Sequence, residues 1–135
     1  NLEDAFLAGV GNLGSALLGY EGFAQHGLNI VAGFDVDAEK VGTEVHGKRI
    51  LHIDKLTDLA QRMHIGIGII TVGARTAQAV ADRMVAGGIR AIWNFAPVRL
   101  EMPPEIIVEN EDLAGTLAVI SRRLAGLNVE TDERE

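Results

Sequence analysis

The chain has 135 residues, 47% hydrophobic and 23% charged, which is the composition of one globular domain and excludes a disordered or membrane-embedded chain. A net charge of −7 argues against direct nucleic-acid binding, which needs clustered Lys and Arg. The absence of cysteine excludes disulfides and thiol redox chemistry and, with no secretory signal or bilayer-length apolar run, favours the cytosol. Because the sequence begins at Asn1 without methionine, we expect a fragment of a longer protein.

The first predicted elements are a buried strand at 5–8, a glycine-rich turn and a helix that Gly27 ends, with a bend near Gly19 and Gly22. A second strand at 29–35 ends on Asp35, 21 residues after Gly14. Strand, glycine turn, helix and distant acid together form a dinucleotide-binding fingerprint. Its turn consists of Gly9, Val10, Gly11, Asn12, Leu13 and Gly14.

Each glycine of the fingerprint has a predicted physical role. Gly9 permits the tight turn, Gly11 lets a pyrophosphate approach the backbone, and Gly14 lets the helix pack close to the strand. The helix that opens near Asn12 offers free N–H groups to phosphate. The alternative is a glycine turn that binds nothing.

Strands and helices continue to alternate through the rest of the chain. Further strands are predicted at 49–52, 65–72, 89–94 and 106–108, and helical segments at 38–41, 54–63, 77–86 and 112–125. Asp54 and Asp112 are the predicted caps of the second and last of these segments. The last helix carries an apolar stripe of Leu113, Leu117, Ile120 and Leu124.

This alternation predicts an α/β fold, a doubly wound parallel sheet of the Rossmann type covered on both faces. We expect one domain at 1–127, which includes the final helix, and a disordered acidic tail at 128–135.

Asp35 is predicted to bind the adenosine ribose hydroxyls and to repel a 2′-phosphate, which favours NAD over NADP. Capping of the next helical turn is the alternative role for this carboxylate. Ligands of parallel sheets lie beyond the carboxyl ends of the strands. That rule selects Thr71, Val72 and Gly73 after the central strand, and Asn94, Phe95, Ala96 and Pro97 after the next.

Other residues give no sign of catalysis. The four histidines lack metal-ligand spacing, and Trp93 is expected in the core. The only tyrosine, Tyr20, is not followed four residues later by a lysine, since Ala24 stands there, and no His–Asp pair is evident. We therefore expect binding without enzymatic activity.

The motifs together resemble the cofactor-binding domain of the bacterial redox-sensing transcriptional repressors of the Rex family. The similarity follows nearly the whole chain in order, through GVGNLGSAL (9–17), YEGF (20–23), FDVD (34–37), EKVG (39–42), HID (52–54), TV (71–72), AQ and AD (77–82), GI (88–89), NFAPVRL (94–100) and VEN with Asp112. The chain departs from the family pattern at Gly73, where proline is usual, and at Arg122-Arg123, where apolar or aromatic residues are usual.

The resemblance implies a homodimer that binds NADH and NAD⁺, with NADH releasing the parent protein from DNA. DNA contact would be made by a winged-helix domain that is not part of this sequence. Tyr20 would lie near the nicotinamide, Asp112 would reach the partner subunit, and the final helix would be swapped between subunits. The rival interpretations are an NAD-dependent dehydrogenase domain and a CoA-binding Rossmann module, which Asp35 argues against.

Overall fold

The computed structural model describes residues 2–134, with side chains described through Asn128. The strands are β1 (Glu3–Ala8), β2 (Leu28–Asp35), β3 (Glu44–Val45), β4 (Lys48–His52), β5 (Ile67–Ile70), β6 (Ala91–Asn94) and β7 (Ile107–Asn110). The helices are α1 (Asn12–Leu18), α2 (Gly22–Gln25), α3 (Leu56–Met63), α4 (Ala74–Ala86) and α5 (Leu113–Arg134). No helix in this described part is long and apolar enough to cross a membrane.

The strands form one sheet in the order β3-β4-β2-β1-β5-β6-β7. All neighbours pair in parallel except β3, which folds back antiparallel onto β4. The order reverses between β1 and β5, so the crevice at the carboxyl ends of these two strands is the expected ligand position. The predicted doubly wound α/β fold is confirmed.

Alternating side chains of the central strands supply two separate cores. Phe6 and Ala8 of β1 face the core beneath α3 and α4, together with Ile70 of β5. Ala5 and Leu7 face the opposite core, which Leu18 of α1 helps to close. Successive side chains of a strand point to opposite faces of the sheet, and both faces are apolar here. The sequence therefore shows continuous hydrophobic runs.

Several predicted element ends are wrong. Residues 38–41 form a hydrogen-bonded turn in which the Asp37 carbonyl accepts from Lys40 and Val41, not a helix. Asp54 does not cap its helix: the His52 imidazole accepts the Asp54 N–H, and Asp54 lies within a 3-10 turn before α3. Asp112 does cap the last helix, because its carboxylate accepts the Gly115 N–H at 2.8 Å.

The last helix is longer than predicted. It continues through Arg134, so residues 128–134, expected as a disordered tail, are helical, and Glu135 lies outside the described residues. Polar composition alone suggested disorder, but Glu and Arg are also good helix formers. Trp93 is only partly buried, in contrast to the predicted core position.

Candidate functional site

The glycine turn joins β1 to α1 by a very close backbone approach. Gly9 has φ +103°, and a Cβ there would lie 2.6 Å from the carbonyl carbon of Thr71. A Cβ on Gly14 would collide with the Gly9 carbonyl oxygen. At Gly11, by contrast, no atom of the residues that the structure describes lies within 4 Å of the Cβ position. Gly9 and Gly14 are therefore required by the fold, whereas Gly11 leaves open space above the backbone.

Thr71, at the end of β5, fastens the central strand to this turn. Its hydroxyl donates to the Gly9 carbonyl at 2.6 Å, and its N–H donates to the Ala8 carbonyl at 2.9 Å. Val72 follows it and is half-buried. These hydrogen bonds hold the glycine turn against the carboxyl end of β5. The side of the turn that faces away from β5 remains accessible.

The Asp35 carboxylate binds three backbone N–H groups. Its Oδ2 accepts from Val10 at 2.8 Å, and its Oδ1 accepts from Val36 at 2.8 Å and Asp37 at 3.0 Å. Burial raises the pKa of Asp35, but these hydrogen bonds and the nearby charge of Lys40 lower it more, so the pKa lies below its ordinary value of 3.8. Asp35 is ionised at neutral pH and orders the turn.

These residues line one cleft of about 440 Å³ at the switch point. Of the predicted site, Gly9, Gly11, Asp35, Thr71 and Val72 line it directly, and so does Gly73. Val10 and Gly14 are buried behind it, while Asn12 and Leu13 are exposed at the start of α1. The open space at Gly11, the carboxylate and the start of α1 fit the diphosphate and ribose of a dinucleotide.

Sequence reasoning missed several lining residues. Thr76, Val80 and Arg83 border the cleft from one face of α4, and Arg83 pairs with Asp54 at 3.2 Å. Their spacing of four and three residues on the helix after the central strand was a usable signal. Lys40 also lines the cleft, and its ammonium donates to the Val10 carbonyl at 2.7 Å. No sequence pattern indicated Lys40, because its position in the cleft depends on the conformation of an irregular turn.

The segment after β6 lies outside this cleft. Asn94 is fully buried; its amide donates to Ala96, Val98 and Asn110 oxygens and its carbonyl accepts the Ala96 N–H. Asn94 therefore shapes the loop, and because it is 0% exposed its side chain is not presented to the cleft. Ala96 and Pro97 border a second hollow of about 490 Å³, which Asp112 also lines.

Four aromatic side chains form a continuous row, and none of the four lines the cleft or the second hollow. The ring centroids of Tyr20 and Phe23 are 4.8 Å apart, those of Phe23 and Trp93 5.7 Å, and those of Trp93 and Phe95 5.0 Å. Tyr20 is 57% exposed, and the Trp93 indole donates to Glu111 at 3.2 Å. The row therefore connects Tyr20 to Trp93, whose indole is hydrogen-bonded to Glu111 next to Asp112.

Among the residues that the structure describes, no three His, Cys, Asp or Glu side chains are grouped as metal ligands.

We expect Asp35→Asn to reduce stability at neutral pH by about 1–3 kcal/mol, because one amide oxygen cannot satisfy the N–H groups that two carboxylate oxygens now share. Since the pKa of Asp35 is lowered on folding, its ionised form contributes stability above the unfolded pKa, and this is lost as pH falls through the folded pKa. The difference between wild type and variant should shrink below about pH 4 in urea unfolding. A difference that widens with acid would contradict this account.

The sheet order, the glycine turn at the switch point and the carboxylate at the end of β2 define a nucleotide-binding domain of the Rossmann class. A sequence profile described as the CoA binding domain matches residues 2–98. The chain therefore belongs to the CoA binding domain family.

Within that fold, the similarity to Rex repressors is confirmed. The redox-sensing transcriptional repressor Rex of Bacteroides fragilis is 47% identical over 124 residues, which are 92% of this chain and 56% of that protein. The crystal structure of the Rex-family repressor RSP with β-NAD⁺ and operator DNA has a TM-score of 0.90 and 32% identity, covering 98% of this chain and 61% of that one.

RSP in complex with β-NADH gives a TM-score of 0.89 and 33% identity over 97% of this chain and 64% of that one. The chain spans 56% of the length of the Bacteroides relative. These relatives are named as transcriptional repressors and not as enzymes.

Proposed function

We propose that this chain is the NAD(H)-binding, redox-sensing domain of a transcriptional repressor, non-enzymatic and cytosolic. The observation that carries the proposal is the cleft, in which an unobstructed Gly11 follows β1 and an ionised Asp35 ends the neighbouring strand β2. Similar proteins in complex with β-NADH, and with β-NAD⁺ and operator DNA, support this ligand class.

In this proposal the glycine turn and the start of α1 hold the diphosphate, and Asp35 holds the adenosine ribose. Among the described residues, Val10 alone donates a hydrogen bond to the Asp35 Oδ2, so a lone pair remains for a ribose hydroxyl. Thr71 and Val72 flank the middle of the cofactor. Tyr20 and the loop 94–97, which are not among the lining residues of the cleft, are proposed to border the nicotinamide end, where Asn94 would act by shaping the loop.

Redox discrimination follows from charge. Oxidised nicotinamide is cationic and reduced nicotinamide is neutral, so an apolar environment penalises the oxidised form by its lost hydration. The aromatic row of Tyr20, Phe23, Trp93 and Phe95 supplies apolar surface next to the predicted position of the ring. Differential affinity of this kind is the only means by which the cofactor can shift the protein between states.

We expect NADH to bind at least about tenfold more tightly than NAD⁺, a difference of about 1.4 kcal/mol. Calorimetric titration of both cofactors measures this, and a thermal-shift series with NADPH and CoA tests the ligand class. Equal affinities for NADH and NAD⁺ would remove the sensing role and leave dinucleotide binding. Stabilisation by CoA alone would favour the family's named ligand instead, and turnover of NADH with a small substrate would favour a dehydrogenase.

The partner that we propose is a second copy of this chain. Leu113, Leu117, Ile120 and Leu124 of α5 are 60%, 64%, 49% and 55% exposed. On the face of the sheet opposite α3 and α4, Ile67, Trp93 and Phe95 are only partly buried. A doubly wound sheet normally has helices on both faces. A helix from a second copy would cover this face and bury the exposed stripe.

DNA binding is proposed for the parent protein through a winged-helix domain outside this sequence. The net charge of −7 supports that division, because the domain described here would repel a phosphate backbone.

A further inference from the structure

Two side chains hold the same residue of the glycine turn from its two sides. The Val10 N–H donates to Asp35 Oδ2 at 2.8 Å, and the Val10 carbonyl accepts from the Lys40 ammonium at 2.7 Å. Val10 is 1% exposed, so its backbone has no alternative partner in water. The turn between two glycines is therefore fixed by contacts from another part of the chain.

The base of the Lys40 side chain is itself anchored. Its N–H donates to the Asp37 carbonyl at 3.0 Å, and its own carbonyl accepts from the Thr43 N–H at 3.1 Å and from the Thr43 hydroxyl at 2.6 Å. The Asp37 N–H in turn is bound by Asp35. Lys40 and Asp35 thus project from one ordered segment, and the ammonium reaches the turn from a fixed position.

The bond between Lys40 and Val10 sets the orientation of the next peptide plane. In a trans peptide the carbonyl of one residue and the N–H of the following residue point in opposite directions. Holding the Val10 carbonyl therefore orients the Gly11 N–H as well. The first helical bond of α1 runs from the Ser15 N–H to the Gly11 carbonyl, so the amides ahead of Ser15 have no partner within the helix.

We infer that Lys40 is a positioning residue for the diphosphate of the cofactor, an inference that rests on the proposed function. It presets the Val10–Gly11 peptide so that the free amides at the start of α1 are ordered before a ligand arrives. Glycines on both sides would otherwise leave this turn mobile, and ordering it on binding would cost affinity. The lysine acts through the backbone, in partnership with Asp35.

The test compares Lys40→Met with Lys55→Met in the full chain. Lys55 is exposed in the 3-10 turn before α3. Its substitution therefore changes the net charge by the same amount and leaves the glycine turn at 9–14 without a changed contact. Lys40→Met should weaken ADP binding at least about tenfold and leave adenosine, which lacks the diphosphate, within about twofold. Hydrogen exchange at Val10 and Gly11 should become faster in the ligand-free variant, and Lys55→Met should match wild type in all three measurements.

Unchanged ADP affinity in Lys40→Met would overturn the inference, and so would an equal loss for adenosine and ADP, which would mean direct contact with the nucleoside. Lys40→Arg, which keeps a donor and the charge, should recover most of the ADP affinity. If wild type itself fails to bind ADP and NADH, the proposed function is wrong. In that case hydrogen exchange alone decides about Lys40: faster exchange at Val10 and Gly11 supports its hold on the turn, and unchanged exchange refutes it.

Discussion

Gly11→Val is expected to abolish measurable NADH binding while leaving the fold intact. Gly11 has φ −87° and ψ −154°, at the border of the extended region that residues with a side chain adopt, and no atom of the described residues lies within 4 Å of its Cβ position. The added methyl groups would occupy the space where the diphosphate has to approach the backbone. Losing charge-assisted hydrogen bonds there, each contributing about 1.5–3 kcal/mol, predicts a fall in affinity of at least about a hundredfold. Calorimetric titration checks the affinity, and thermal unfolding checks the fold.

Substitutions of two other glycines serve as comparisons for Gly11→Val. Gly126→Val changes an exposed residue of α5 with open space around it, so it should bind NADH like wild type. Gly9→Ala should destabilise the protein by about 3 kcal/mol or more, because positive φ and the close Thr71 backbone both oppose a side chain. If Gly11→Val folds and still binds NADH like wild type, the open space at Gly11 is not a ligand site.

Leu117→Glu combined with Leu124→Glu is expected to convert a dimer of this chain into a monomer. Both side chains are more than half exposed, so the variant loses no internal packing and should retain its fold. Two carboxylates in the predicted apolar contact would have to be buried without partners, which costs several kcal/mol each. Sedimentation velocity over a range of protein concentrations measures the change.

Ala118→Glu combined with Ala125→Glu is the matched control, because it adds the same charge to exposed positions of α5 that lie about 110–130° around the helix from the centre of the stripe. This control should remain dimeric. Dimerisation that survives in the leucine variant would assign the interface to another surface. At about 100° per residue, Arg122 lies on the side of the helix opposite the stripe and Arg123 lies about 90° from the centre of the stripe, so neither arginine is part of it.

Much of the fold could be predicted because its signals are local. Buried parallel strands require continuous apolar runs, and the turn between β1 and α1 requires glycine at Gly9 and Gly14 for steric reasons. The β3–β4 hairpin escaped notice because its turn residues are His46 and Gly47, both with positive φ, and histidine is an uncommon residue there.

The site was predicted less completely, for a different reason. Asp35 followed from its distance to the glycines, but its three backbone bonds depend on how the chain turns after β2. Lys40 reaches Val10 across 30 positions of sequence, and no periodicity encodes such a contact. Asn94 was predicted to contact a ligand, but its amide group donates hydrogen bonds to carbonyl oxygens within the loop that follows β6. Tertiary structure alone determines these roles.

Both edge strands of the sheet are short. One edge strand is β3, which has two residues and folds back onto β4. The other is β7, which has four residues and carries the exposed Glu109. Long, flat, uncharged edge strands pair with strands of other molecules, whereas short, charged edge strands do not. Growth of this sheet from molecule to molecule is consequently disfavoured, and a concentrated solution of the chain is protected from polymerising by strand addition.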